Sequence, residues 1–229
     1  MSILTAIRPH YSRAEYVSDA VVHILGVVAV LVAVPILITL TVLWRDDVSG
    51  IVGIAVYGVT LVAMILCSAL YNINRRKRWH GLLQRLDHSA IYIKIAGTYT
   101  PFTLLAGGQA AYLLTGLWGA ALAGLGLKLF DPNRFRWLAL ALYLGMGWVG
   151  VYAGWALFSQ MSAPVLGLIL IGGLLYTAGV IFYLTERLAF HTTIWHVFVL
   201  VASMMFFTAI TWHMVETAPQ LAMGSHAGM

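Results

Sequence analysis

Residues 20–44 read AVVHILGVVAVLVAVPILITLTVLW, a stretch of 25 residues in which His23 is the only ionisable side chain. A helix needs about 20 consecutive, mostly apolar residues to cross the hydrocarbon core of a bilayer. This stretch is long enough, and it has no polar face of the kind that a surface helix of a soluble protein presents to water. It therefore predicts a membrane-spanning helix, with Pro35 inside it.

The rest of the chain repeats this pattern. Hydrophobic residues make up 61% of the sequence and charged residues only 9%, against about 25% charged residues in an average soluble domain. The apolar runs are long and do not alternate with period two, so they favour helices over a β-barrel. We predict an all-α polytopic membrane protein with seven transmembrane helices within residues 18–216, preceded by a cytoplasmic segment (1–17) and followed by a disordered tail (217–229). The seven predicted spans are residues 20–44, 51–73, 91–105, 112–130, 138–158, 165–184 and 195–215. The third is short unless it starts near Leu86, which puts Asp87 inside the helix.

The basic residues predict the orientation. With seven spans, the N-terminus and the loops after the second, fourth and sixth spans lie on one side. Eleven of the 13 Lys and Arg residues fall on that side: Arg8, Arg13, Arg75, Arg76, Lys77, Arg78, Arg85, Lys128, Arg134, Arg136 and Arg187. The opposite side has only Arg45, next to Asp46 and Asp47. Cytoplasmic loops carry the excess of Lys and Arg, so we predict a cytoplasmic N-terminus, an outside C-terminus and no nucleic-acid partner.

Polar residues within the spans concentrate at the predicted cytoplasmic ends. Ionisable groups in spans are costly and default to functional hypotheses. Residues four apart share a helix face. The polar residues at the start of the first span therefore lie on one face, and so do those at the end of the second span. Capping of helix ends is the alternative explanation for single residues, but four segments delivering polar groups to one depth favour a shared site. The residues concerned are Glu15, Asp19, His23, Ser68, Asn72, Asp87, His88, His191 and His196.

Lys94 lies seven residues after Asp87, on the same helix face and about 10.5 Å further along the axis. An unpaired ammonium at that depth is costly. It either forms an ion pair with Asp87, extends back to the cytoplasmic interface, or pairs elsewhere.

Four stretches resemble the hemolysin III family, the bacterial branch of the progestin and adipoQ receptor group. They are EYVSDAVVHILG (15–26), SALYN (68–72), RLDHSAIYIKIAGTYTPF (85–102) and IWHVFVL (194–200). The resemblance covers roughly residues 12–215. It implies a seven-helix protein of the bacterial inner membrane that acts in membrane-lipid homeostasis and binds a lipid in a pocket at the cytoplasmic leaflet.

The resemblance also implies zinc chemistry, because better-known members are similar to alkaline ceramidases with zinc held by three histidines beside an aspartate and a serine. Ser68, Asp87 and His196 match those positions, but expected histidines fall at Asn72, Thr192 and Phe206. The remaining candidate ligands are Asp87, His196 and His191, with His23 as a further possibility. His191 and His196 are five residues apart, about 140° around a helix, which opposes a shared metal. In the absence of zinc, Lys94 could supply the positive charge, with Asn72 and Thr192 completing the hydrogen bonds.

Three functions remain open at this stage. The first is non-catalytic lipid binding with a degenerate metal site. The second is a zinc-dependent lipid amide hydrolase, in which Asp87 and His196 bind metal, Ser68 stabilises the oxyanion and His23 or Asp19 moves protons. The third is a channel or pore-forming cytolysin, which requires polar residues through the full depth of several helices; the fourth to sixth spans have almost none. The sequence does not predict an oligomeric state.

Overall fold

The computed structural model describes residues 12–74, 76–106, 110–131 and 136–218, and within them all regular structure is α-helical. Its eight helices are α1 (Arg13–Trp44), α2 (Val48–Ile73), α3 (Lys77–Leu105), α4 (Ala111–Phe130), α5 (Arg136–Ala153), α6 (Trp155–Phe158), α7 (Ala163–Leu184) and α8 (His191–Glu216). Five of them, α1, α2, α4, α7 and α8, are long and apolar enough to cross a membrane. The chain is therefore a multi-pass membrane protein. The predicted tail from residue 219 onward and residues 1–11 lie outside the described residues.

α3 occupies the centre of the bundle. It packs most extensively against α2 and also contacts α4, α5 and α8, while α1 lies against α2 and α8, and α7 pairs with α8. The buried aromatic residues Tyr92 and Phe102 of α3 join the main apolar core. This central position explains why α3 is less apolar than its neighbours: few of its side chains face lipid, so polar groups such as Ser89 and Thr98 can be buried against protein.

α1 shows the pattern of a peripheral membrane helix. Its buried residues recur at spacings of three and four along one face: Glu15, Asp19, His23, Gly26, Val30, Val34, Leu37 and Thr41. The other faces expose large apolar side chains, among them Leu25, Leu31 and Leu43. Apolar exposure over most of a helix is unfavourable in water and favourable in lipid. The buried face begins with three ionisable residues and is apolar from Gly26 to Leu37, so the ionisable groups lie at one end of the helix.

Two predicted helix boundaries differ from the structure. The third span was expected at residues 91–105, yet α3 begins at Lys77, because the polar stretch before the apolar run continues the helix beyond the apolar section. The fifth span was expected to run unbroken over 138–158, yet the helix stops at Ala153 and a short α6 follows Gly154. A Cβ at Gly154 would lie 2.7 Å from a methyl carbon of Leu113 and 2.8 Å from the carbonyl oxygen of Gly150, so the break occurs where the backbone is tightly packed.

Candidate functional site

Asp19 connects α1 to α8 through two imidazoles. His196 Nδ1 lies 2.6 Å from Asp19 Oδ1, and His23 Nδ1 lies 3.6 Å from Asp19 Oδ2. His23 Nδ1 also donates to the backbone oxygen of Asp19 at 2.8 Å. The rings of His23 and His196 meet edge to face, with centroids 4.3 Å apart. Because both Nδ1 atoms face Asp19, each neutral imidazole is held in the tautomer that leaves Nε2 as an acceptor.

α2 closes this arrangement from the other side. Ser68 Oγ lies 3.2 Å from His23 Nε2, and Asn72 Nδ2 approaches the same nitrogen at 3.4 Å. Asn72 Nδ2 also donates to the backbone oxygen of Ser68 at 2.9 Å, one helical turn earlier. The hydroxyl and the amide therefore both point at the His23 nitrogen that Asp19 leaves open.

Asp87 belongs to α3, the fourth helix that supplies a polar group here. Asp87 is half-buried as a residue, and its carboxyl group interacts with the Ser68 hydroxyl and with the charges of His88, His196 and Asp19. Because α3 begins ten residues earlier, at Lys77, Asp87 lies inside the helix and does not cap it. We use "polar site" for Asp19, His23, Ser68, Asn72, Asp87 and His196. It lies at the end of the bundle where α1, α3 and α8 begin and α2 ends.

Glu15 has a different role from these residues. Its Oε2 accepts from the backbone nitrogen of Ser12 at 2.9 Å, and the Ser12 hydroxyl caps the backbone nitrogen of Glu15 in return. Its Oε1 accepts from the backbone nitrogen of Phe190 at 2.9 Å, where the chain enters α8 in a left-handed conformation with φ 60°. Glu15 thus fixes the starts of α1 and α8 beside each other and positions Asp19 against His196.

Three other predicted site residues make different contacts. The His191 side chain, in the first residue of α8, lies next to the Thr192 hydroxyl, with Nε2 and Oγ1 3.4 Å apart. Lys94 pairs elsewhere, the third of the predicted alternatives, and forms no ion pair with Asp87. Its Nζ donates instead to the Tyr176 hydroxyl at 2.6 Å, because that hydroxyl lies closer than a carboxylate about two helical turns away.

The polar site offers ligand types that zinc accepts. One ligand atom from each of Asp19, His23 and His196 lies within 4.8 Å of the other two, and two imidazoles with a carboxylate form a known zinc-binding set. Imidazoles that bind metal usually donate their second ring nitrogen to a carboxylate or a backbone carbonyl, as both Nδ1 atoms do here towards Asp19. With these contacts in place the two Nε2 atoms are the ligand atoms, and Asp19 becomes a ligand only if its contact with His196 Nδ1 is released. These residues fit a divalent metal, although the set differs from the expected Asp87, His196 and His191.

Comparison with known proteins places the chain in a family. The family described as Haemolysin-III related matches residues 12–207. The chain belongs to the hemolysin III family. It is similar to the hemolysin-3 homolog of Bacillus subtilis (strain 168), with 36% identity over 90% of this chain and 97% of that protein. It is equally similar to hemolysin-3 of Bacillus cereus, with 36% identity over 89% of this chain and 94% of that protein.

A more distant hemolysin III relative is human. The monocyte to macrophage differentiation factor of Homo sapiens is 25% identical over 90% of this chain and 86% of that protein. The family match covers all four helices that form the polar site, since it extends from before Asp19 to beyond His196.

Sequence reasoning missed two features of this hemolysin III structure. It did not identify Asp19 as the shared acceptor of both imidazoles, although the i, i+4 spacing to His23 was the available signal. It also missed Tyr176 as the partner of Lys94 and Ser203 as the partner of Tyr176, with the two hydroxyl oxygens 2.7 Å apart. No local spacing links α3 to α7, so no sequence pattern indicated the Lys94–Tyr176 pair.

Proposed function

We propose that this protein binds a membrane lipid at the polar site and acts in membrane-lipid homeostasis in the bacterial inner membrane. In the predicted seven-span topology eleven of the 13 basic residues fall on the side where α1 begins, which supports a cytoplasmic location for the polar site. The head of the lipid would meet the polar site while its chains remain in the bilayer beside the exposed apolar faces of the helices.

The hydrogen-bonded chain Asp19–His196 and Asp19–His23–Ser68–Asn72 carries this proposal. Three helices contribute these groups in a protein that is 9% charged. Desolvating them costs free energy that apolar packing would not. Asp19 and His23 are 7% and 5% exposed, so water does not offset that cost at α1. A polar ligand that exchanges hydrogen bonds with the network is the function that this arrangement supports best.

Lipid mass spectrometry of purified protein tests the proposal. Wild type, His196→Leu and Asp19→Asn are transferred from detergent into nanodiscs made of the cell's own lipid extract, and lipids retained by the protein are quantified. We expect one lipid class to be enriched on wild type and lost from both variants. His213→Leu is the matched control, since His213 is a buried histidine of α8 at the opposite end of the bundle. Equal lipid profiles for wild type and His196→Leu would contradict lipid binding at the polar site.

A zinc-dependent lipid amide hydrolase is the second candidate, favoured by the cluster of Asp19, His23 and His196. Zinc, when bound, supplies a water activated for attack on a carbonyl. Asp19 orients both imidazoles through their Nδ1 atoms. The Ser68 hydroxyl, close to His23 Nε2, is placed to donate to a developing oxyanion, and the nearby Asp87 carboxyl can exchange a proton with the leaving group.

Metal analysis separates the two candidates. Stoichiometric zinc in wild type, lost in His196→Leu and retained in His213→Leu, together with release of fatty acid from a fluorescent ceramide, would establish the hydrolase. Protein that retains its lipid without metal and without amide cleavage would identify the non-catalytic binder.

A further inference from the structure

A cavity of about 80 Å³ lies between α3, α5, α7 and α8, away from the polar site. Apolar and aromatic side chains line most of it, including Ile91, Ile95 and Phe206. α5 and α7 contact each other only sparingly, and the cavity is bordered there by Trp148 and Leu170, which are 38% and 47% exposed. The cavity therefore opens sideways, through the gap between α5 and α7, towards the surrounding lipid.

Lys94 places a positive charge in the wall of this cavity. The residue is 2% exposed. Its Nζ donates to the Tyr176 hydroxyl at 2.6 Å and lies 4.4 Å and 5.1 Å from the ring centroids of Tyr176 and Phe206. Among the residues that the structure describes, no carboxylate lies within 4.0 Å of Nζ. An ammonium has three donors, so two remain for a further acceptor.

We propose that this cavity binds the carboxylate of a long-chain fatty acid, with Lys94 as its counter-ion and the acyl chain leaving between α5 and α7. The anion neutralises a charge that aromatic rings and one hydroxyl stabilise only in part. The Tyr176 hydroxyl lies 2.7 Å from Ser203 Oγ. Its single hydrogen can be donated to the second carboxylate oxygen when Ser203 is the donor in that pair.

The size and depth of the cavity select the carboxylate. Pockets that enclose whole drug-sized ligands measure roughly 300–1,000 Å³, so about 80 Å³ accommodates a small head and not a complete lipid. A fatty acid carries its charge at the end of a single chain, and nothing polar has to follow it into the cavity. The phosphate of a phospholipid is substituted on both sides, and both substituents would be desolvated between the helices. This proposal is independent of the ligand at the polar site.

Fluorescence quenching tests the proposal, because Trp148 and Trp195 line the cavity. Brominated stearic acid is titrated into purified protein in dodecyl maltoside above pH 8, and its methyl ester measures quenching caused by partition into the micelle alone. We expect the acid to bind wild type about tenfold more tightly than the ester, as a charge-assisted hydrogen-bonded pair requires. Lys94→Met should remove that difference. Lys128→Met, which alters a similarly buried lysine on α4, should retain it.

Gly173→Leu provides a second variant in case Lys94→Met does not fold. A Cβ at Gly173 would meet only the Trp148 ring, at 3.6 Å, so the backbone tolerates a side chain there while the leucine fills the mouth of the cavity. This variant should bind the acid no better than the ester. Equal affinities for acid and ester in wild type, or an unchanged preference in either variant, would overturn the proposal. Competition by phosphatidylglycerol at the same concentration as the acid would also overturn it. His196→Leu should leave acid binding intact, which separates this cavity from the polar site.

Discussion

Asp19 contacts two imidazoles. Its carboxylate lies against Nδ1 of His196 and of His23, and its backbone oxygen accepts from His23 Nδ1. Asp19→Asn keeps the shape but replaces a carboxylate with an amide, which is a weaker acceptor for His196 Nδ1. Hydrogen bonds to charged groups contribute about 1.5–3 kcal/mol, although side-chain pairs within membranes average nearer 0.6 kcal/mol. We therefore expect the free energy of unfolding in detergent to fall by about 1–2 kcal/mol, measured by thermal or SDS-induced unfolding.

The matched control for Asp19 is Asp46→Asn, which alters an exposed aspartate in the α1–α2 connection. Exposed substitutions usually change stability by about 0.5 kcal/mol or less. If both variants lose the same stability, the Asp19–His196 contact is not a significant source of it.

The sequence predicted which helices supply polar groups to one depth, but not which atoms meet. The i, i+4 pairs Asp19/His23 and Ser68/Asn72 are set by helix geometry alone, so their shared faces were accessible. The contact between Asp19 and His196 depends on the rotation of α1 and α8 about their axes, which long-range packing decides. Lys94 shows the same limit: its face on α3 was predictable, whereas its partner Tyr176 lies 82 residues away in sequence.

At the scale of the helix, Glu15 joins two N-termini. Its carboxylate accepts from the backbone nitrogens of Ser12 and Phe190, and a negative charge is favourable at the start of each helix. Glu15→Gln leaves one oxygen for two donors, so we expect a loss of about 1–2 kcal/mol and faster amide hydrogen exchange at residues 190–194. Ser12→Ala is the control, because it removes the cap on Glu15 and leaves the Phe190 contact in place. Faster exchange at the start of α8 in Ser12→Ala but not in Glu15→Gln would contradict this role.

Asp47 gives α2 a pH-dependent start. Partial burial raises the pKa of Asp47, but hydrogen bonds from the Arg45 side chain and the Gly50 backbone outweigh it and lower the pKa below the usual value. A carboxyl group with a lowered folded-state pKa stabilises the fold above its unfolded pKa of about 4, and this stability is lost as the pH falls through the folded-state value. Asp47→Asn should therefore lower the Tm near pH 7, and the difference from wild type should shrink below about pH 4. A difference that stays constant from pH 7 to about pH 3 would assign the effect to the cap geometry alone.

The start of α3 is a helix boundary that hydropathy does not predict. Apolar runs give the part of a helix that lies in lipid, and the chain can continue as helix into the interface. The stretch from Lys77 to Leu86 includes several polar residues, so it carried no apolar signal although it is helical. For the fifth span the predicted helix is too long. Residues 138–158 are continuously apolar, but the helix is interrupted at Gly154, where the packing is close. Hydropathy predicts which segments are buried in lipid or protein, but it does not predict whether the helical hydrogen bonds continue without a break.

For the whole molecule, the number of crossings is the main prediction that stays open. Seven helices have 18 residues or more within the described chain, but α3 and α5 are not among the five that are apolar enough to span by composition. A count of five and a count of seven are both odd, so both place the C-terminus on the opposite side from the N-terminus. A reporter at the C-terminus alone therefore cannot distinguish the two topologies.

The connection between α4 and α5 distinguishes them. With seven crossings it is cytoplasmic, since four helices precede it; if α3 and α5 do not cross, three crossings precede it and it lies outside. Arg134 and Arg136 and the packing of α3 along both α2 and α4 favour seven. We expect green fluorescent protein inserted after Asp131 to fluoresce and alkaline phosphatase at the same site to be inactive, with the reverse result for fusions after residue 218. Active phosphatase after Asp131 would indicate five membrane crossings. In that topology α3 and α5 would not cross the bilayer. Inactive phosphatase after residue 218 would contradict the orientation that the basic residues predict.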